Sequence, residues 1–168
     1  MQPERKEMPM KFVADANLGK LAKWLRIAGY DVLFSRNIDD DSLIRIGLQD
    51  GRVVLTRDTH IPRRRVAASG ELKVILIKYD NVQDQLQQVA QALVLDLKAH
   101  PLSRCILCNQ PLIPTTKEEV RDTVPLYVFN TQSHFSKCPV CGRIYWQGTH
   151  WYNMERELEK LTNPQTTY

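Results

Sequence analysis

The sequence predicts an α/β chain: a parallel sheet covered by helices on both faces, a three-layer α/β/α arrangement, followed by a small metal-held module. Three observations carry this. Runs of Val, Ile and Leu recur through the first hundred residues, separated by stretches with apolar residues at helical spacing. The chain has four cysteines, all in two C-x-x-C pairs, Cys105 with Cys108 and Cys138 with Cys141. After His100-Pro101 the alternation stops, and prolines and polar residues take over. A length of 168 residues suits one medium domain and a small appendage, expected over residues 10–100 and 101–162.

Taken in order, Lys11–Ala14 is a short apolar run that ends at Asp15, a first strand. Leu18, Leu21, Ala22, Leu25 and Ala28 fall on one helical face, and Gly29 is a natural stop. Asp31–Phe34 is a second strand. Asp40 or Asp41 can cap a helix carrying Leu43, Ile44, Ile46 and Leu48, closed by Gly51. Val53–Thr56 is a third strand, with Asp58 just beyond it. A short helix through Val66 and Ala67 stops near Gly70, and Val74–Ile77 is a fourth strand. Asn81 can cap a long helix with Leu86, Val89, Ala90, Leu93, Val94 and Leu97 as apolar positions. Beyond residue 101, Thr116–Asp122 reads as a short helix or a loop, and Asp122–Val128 has little period. A last helix runs from about Tyr152 to Leu161, and the tail after Thr162 is expected to fray. Residues 102–147 look too polar to build a core without metal, so loss of the metal is expected to leave the first hundred residues folded.

The cysteine spacing lets both thiolates of a pair reach one ion, and two pairs make the closed tetrahedral set that structural zinc takes. Asn109 and Gly142, each directly after a pair, are residues that turn a backbone tightly. Two disulfides in a secreted protein are the competing reading. The charged start MQPERKEMP carries no apolar signal core, so zinc in a cytoplasmic protein is expected. A closed four-thiolate site has no open position for chemistry, so the catalytic candidates lie elsewhere.

Three acidic signals fall at one rim of the expected sheet: Asp15 after the first strand, Asp39-Asp40-Asp41 at a helix start, and Asp58 after the third strand. The functional crevice of such sheets lies beyond the carboxyl ends of the strands. Neighbouring strands are about 5 Å apart, so carboxylates there can converge. They repel unless a cation neutralises them, and oxygen ligands with open positions suit magnesium or manganese. Singly, the same residues also read as structural, Asp39–Asp41 as a helix cap and Asp15 as a turn residue.

The segments Phe12–Leu18, Leu25–Val32 and Leu55–Asp58 together resemble the PIN-like ribonucleases. The later run Cys138–His150 is similar to one branch, the Mut-seven C-terminal ribonuclease family, which joins a compact PIN-like domain to a zinc ribbon. The likeness spans about residues 10 to 160. It implies a PIN-like fold and hydrolysis of RNA phosphodiester bonds with Mg2+ or Mn2+. It implies Asp15, Asp40 and Asp58 as the catalytic metal-binding carboxylates, with Asp41 as the alternate, and structural Zn2+ on Cys105, Cys108, Cys138 and Cys141. The chain departs from the wider PIN pattern, because Leu18–Asn37 holds one acidic residue, Asp31. Three carboxylates are therefore expected, with Asn17, Asp39 or Asp80 completing the shell.

The net charge is +4, and Arg57, Arg63, Arg64 and Arg65 fall within nine positions. Guanidinium forks fit phosphate oxygens, so this run is a candidate contact for single-stranded or structured RNA; a solvated helix face is the other reading. Trp146, His150 and Trp151 can stack on bases, though packing of the ribbon is the favoured role. His134 could replace a cysteine at zinc, but four thiolates already fill the shell, and His60 and His100 show no partner. No apolar run has membrane-spanning length, so no membrane partner is expected. A phosphate-cradling G-x-x-x-x-G-K run does not occur, which argues against nucleotide hydrolysis. A non-catalytic RNA- or protein-binding module with a vestigial PIN-like site remains the alternative to an enzyme.

Overall fold

In a computed structural model, residues 9–162 are described; the tail beyond Thr162 and the first eight residues lie outside them. The elements run β1 (Lys11–Ala14), α1 (Gly19–Ile27), β2 (Asp31–Phe34), α2 (Asp40–Asp50), β3 (Val53–Thr56), α3 (Arg65–Ala68), β4 (Val74–Leu76) and α4 (Val82–Leu93). A single 3-10 turn at Ile61–Arg63 precedes α3. The C-terminal part follows with β5 (Ile113–Thr115), α5 (Lys117–Val120), α6 (Leu126–Thr131), β6 (Phe135–Lys137), β7 (Ile144–Trp146) and α7 (Thr149–Thr162). The fold class is the expected one, an α/β chain with a four-stranded parallel sheet and a cysteine-bearing C-terminal module.

The described residues form two compact units. The first takes the chain up to Gly19 and Val32–Leu76, and the second takes Lys20–Asp31 and everything from Ile77 onward. The division expected at residue 100 falls inside the second unit.

The first unit is built on the sheet, in the order β2-β1-β3-β4. Phe12 pairs with Val53 and Ala14 with Leu55, and β4 continues the sheet beside β3. These strands are apolar on both faces because both are covered, as a parallel sheet requires. Val13, Leu43, Val54, Ile61 and Leu72 form the buried cluster, with Ile38, Ile44, Ile46 and Val66 packed around it. Chain order reverses across β1 and β3, which makes their carboxyl ends the switch point where α/β sheets place ligands. Helix α2 closes at Gly51 as expected, but its cap is Asp39, whose Oδ1 accepts from the Ser42 N–H at 2.8 Å. Asp40 and Asp41 are therefore inside the helix and free of the capping role that the sequence suggested for them.

In the second unit, the Asn81 side chain caps α4 by accepting from Gln83 and Asp84 N–H groups. The helix ends at Leu93, short of the Val94 and Leu97 positions that the expected pattern included. Val94 adopts a left-handed conformation, φ 53°, and is 91 % exposed, while Leu97 is buried beyond the helix end. Strands β5, β6 and β7 form an antiparallel sheet. Against expectation this region has an apolar cluster of its own: Val120, Val124 and Phe135, with Val128, Phe129, Ile144 and Trp146 packed on it. Helix α5, opened by a capping box between Thr116 and Glu119, and helix α6, where no period was legible, supply three of those seven residues, Val120, Val128 and Phe129.

Candidate functional site

Asp15 follows β1 and is 8 % exposed. Its backbone N–H continues the ladder to the Leu55 carbonyl at 3.0 Å, which brings it level with the end of β3. Three donors hold its carboxylate. Oδ1 accepts from Asn17 N–H at 2.9 Å, and Oδ2 accepts from the Thr56 hydroxyl and the Arg57 N–H, both at 2.8 Å. A carboxylate offers about four lone-pair directions, so Oδ1 keeps one for a further ligand. The fully buried Thr56 hydroxyl also accepts from the Asp58 N–H at 2.9 Å, and Asp58 Oδ1 accepts from His60 N–H at 2.8 Å. Thr56 thus ties the two aspartates of the rim to one hydroxyl.

Asp40, in the first turn of α2, faces Asp58, although the three carboxylates do not all come within 4.8 Å of one another. Burial pushes its carboxyl above the usual value, and the negative charge of Asp58, a hydrogen bond with Asp58 and the charge of Asp15 push it further; Arg64 pulls the other way. Asp15, Asp40 and Asp58 therefore stand in one another's field. Asp41 turns to Arg64 instead, Oδ1 to Nη2 at 3.2 Å, with 83 % of its side chain exposed. Asp39 is engaged in its cap, and hydrogen bonds from the Ser42 N–H and hydroxyl hold its carboxyl low. Asp80 belongs to the second unit.

In that second unit the four cysteines converge, all four sulfurs within 4.8 Å of one another, and none is in a disulfide. Among the described residues no other set of three or more His, Cys, Asp or Glu side chains is so close. The Cys105 and Cys141 sulfurs are 3.7 Å apart. A tetrahedron with zinc–sulfur bonds of about 2.3 Å has edges of about 3.8 Å, so the set fits that ion. The two loops are built alike. Asn109 N–H donates to the Cys105 carbonyl and Gly142 N–H to that of Cys138, while Cys105 and Cys138 N–H groups donate to Gln110 and Arg143 carbonyls. Asn109 and Gly142 both take the left-handed conformation that such a turn needs, φ 63° and 73°. Burial opposes ionisation of Cys105, but donors from the Tyr145 hydroxyl at 3.2 Å and from Cys108 and Leu107 N–H groups bring it down to about 6. Cys108, hydrogen-bonded to Cys141, is pushed up to about 12.

A family model described as the Mut7-C RNAse domain matches residues 10–158. The chain belongs to the Mut7-C RNAse domain family. This is the family that the sequence resembles, and its name points to a ribonuclease-type function with RNA as substrate. No match was found among curated proteins or among solved structures.

Within this family member, sequence reasoning missed two sets of residues. Thr56 carried a signal, the Thr-x-Asp run, but no role. Arg26 carried none. The residue is 8 % exposed, and its guanidinium donates to the Ile106 and Leu107 carbonyls at 2.9 and 3.2 Å, inside the first cysteine loop. Asn109 donates to Asp31 at 2.7 Å, and Arg104 bridges the Gly29 and Asn109 carbonyls. Gly29, φ 95°, allows the contact: a Cβ there would lie 2.2 Å from the His100 carbonyl oxygen. Burial lowers the Arg26 pKa, and the charges of Cys105, Asp31 and Cys108 partly restore it.

The other candidates fall out plainly. Arg57, Arg63, Arg64 and Arg65 are all exposed, and Arg64 pairs with Asp41. Trp146 packs on the ribbon's own cluster, and Trp151 stacks edge-on with Tyr152 in α7. His134 is exposed and bonds Ser133. Among the described residues, no helix is long and apolar enough to cross a membrane.

Proposed function

We propose that the chain is a cytoplasmic, divalent-metal-dependent ribonuclease that hydrolyses RNA phosphodiester bonds at the rim of Asp15, Asp40 and Asp58. The observation that carries this is the raised Asp40 carboxyl, disfavoured as an anion by burial and by Asp58 and Asp15. A cation held between Asp40 and its acidic neighbours, at the switch point of a parallel sheet, relieves that repulsion. Hard oxygen donors fit Mg2+ or Mn2+. Such an ion, when bound, stabilises charge on the phosphoryl group and activates water.

The chain's own residues would divide the remaining work. Asp15 offers the open direction on Oδ1 while Thr56 and the Arg57 N–H fix its other oxygen. Asp40 adds a third carboxylate to the rim, and Asp58 offers the oxygen that does not accept from His60. Asp41 is the alternate ligand and must leave Arg64 to serve. Arg57, Arg63, Arg64 and Arg65 hold phosphates of a single-stranded or structured RNA. No side-chain nucleophile is required. Cys105, Cys108, Cys138 and Cys141 hold a structural Zn2+ with no open position.

The test is cleavage of labelled RNA by zinc-loaded protein. Cleavage should need Mg2+ or Mn2+, stop with a chelator, and return on adding Mg2+ alone with zinc content verified. Asp58→Asn should cut at least a hundredfold more slowly. Cleavage by Asp58→Asn at the parent's rate contradicts the proposal and leaves an RNA- or protein-binding module in its place.

A further inference from the structure

Helix α4 presents a polar stripe that the rim chemistry does not use. Asp84, Gln87, Gln88 and Gln91 stand at i, i+3, i+4 and i+7 and share one face. With Tyr79 and Ala92 they line a cavity of about 410 Å3, within the size range of small-ligand sites. Its frame is fixed by hydrogen bonds to backbone. Buried Gln85 donates to the Tyr79 and Asp80 carbonyls at 2.9 and 3.5 Å, and Gln88 Oε1 accepts from Lys78 N–H at 3.0 Å. The segment 78–80 is thereby pinned to the helix, and Tyr79 is held there 49 % exposed.

The lining offers one aromatic ring, one carboxylate, three primary amides and no lysine or arginine. Its one charged group is negative, so phosphate is not its ligand. An aromatic face stacks on a base, and amides with a carboxylate read the donors and acceptors of a base edge. We infer that this cavity takes one unpaired nucleobase of an RNA strand, with guanine favoured. Guanine carries two adjacent N–H donors, N1 and N2, that one carboxylate can accept together, and an O6 that an amide N–H2 can reach. Tyr79 then supplies stacking, Asp84 the acceptor pair and Gln87 or Gln91 the donor. The inference rests on the ribonuclease reading for the nature of its ligand and adds base selection to it.

The probe is a fluorescent single-stranded octamer of uridines with one central G, compared with octamers carrying A, C or U there. Binding is measured by anisotropy on zinc-loaded Asp58→Asn protein, so that the strand survives. The G octamer should bind tightest. Tyr79→Ala should weaken it on the order of tenfold, the scale of one lost base stack, whereas Tyr79→Phe keeps the ring and the affinity. Asp84→Asn should erase the ratio between the G and U octamers, whatever it does to affinity overall. Equal binding of all four octamers, or Tyr79→Ala and Asp84→Asn variants that bind and discriminate like their parent, overturns the inference and leaves the nuclease reading standing. Failure of every octamer to bind overturns the RNA reading and this inference with it.

Discussion

At the cysteines, backbone does the placing: two loops of the same hydrogen-bonded pattern deliver four sulfurs within 4.8 Å of one another. At the rim, Asp15 is held by three donors, but Asp40 stands against Asp58 and resists ionising. The thiol set is matched to an ion that completes it; the carboxylate set carries repulsion that the fold tolerates without relieving. The first set gains by closing around an ion, and the second keeps a carboxyl whose ionisation its neighbours oppose.

The largest expected effect breaks the first half of this comparison. Cys138→Ser should abolish tight zinc retention, and structural zinc is worth on the order of 10 kcal/mol to such modules. Sequence alone suggested that the first hundred residues would then stay folded. Arg26 and Asp31, which grip the first cysteine loop, change that expectation. Hydrogen exchange should show α1 losing protection together with β5–β7, while β1, β3 and β4 keep theirs. An α1 that stays protected without zinc would uncouple it from the loop.

Next in size is Thr56→Val, which preserves shape and removes the hydroxyl between the two rim aspartates. Leaving Asp58 N–H and Asp15 Oδ2 each short of a buried partner should cost about 1–3 kcal/mol of stability. RNA cleavage should fall about tenfold or more, with zinc content unchanged. Equal cleavage would mean that Asp15 needs no such support.

Val94→Gly is a smaller effect and a control outside both sites. Relieving a β-branched residue of its left-handed backbone should gain about 1 kcal/mol in denaturant unfolding, with zinc content and cleavage as in the parent.

Asp40→Asn reads the rim's strain through pH. The Asp40 carboxyl titrates higher in the folded chain than in the open one, so at acid pH the native state holds a proton that the unfolded state has released. Stability from this group is therefore present at low pH and lost as pH rises through the raised native value. Without divalent ions, the variant should be more stable than the parent near neutral pH, with the difference vanishing in acid. A parent as stable as the variant at neutral pH would remove the evidence of strain.

Much of this was legible in the chain because it is local. Strand runs such as Val53–Thr56 and the ligand spacing of Cys105 and Cys108 lie within a few residues. Asp15 and Asp58 were legible because strand ends are. Thr56 was not, since its role comes from the register that sets Ala14 against Leu55. Arg26 was hidden for the same reason: on an amphipathic helix a basic residue reads as solvated, and its partners lie some 80 positions away. The cap went to Asp39 over its two neighbours because the α2 start fell one residue earlier. Helix α6 had no readable period because its Val128 and Phe129 are placed by the ribbon's cluster.

The central claim is that the rim binds a hard cation and the cysteines bind zinc independently of it. Manganese titration of zinc-loaded protein, followed by electron paramagnetic resonance, tests this directly. The parent should bind Mn2+ at neutral pH, and more weakly as pH falls and Asp40 takes up its proton. Asp15→Asn and Asp58→Asn should lose that binding with full zinc retained. A zinc-loaded parent that binds no Mn2+, or aspartate variants that bind it as the parent does, would contradict the account.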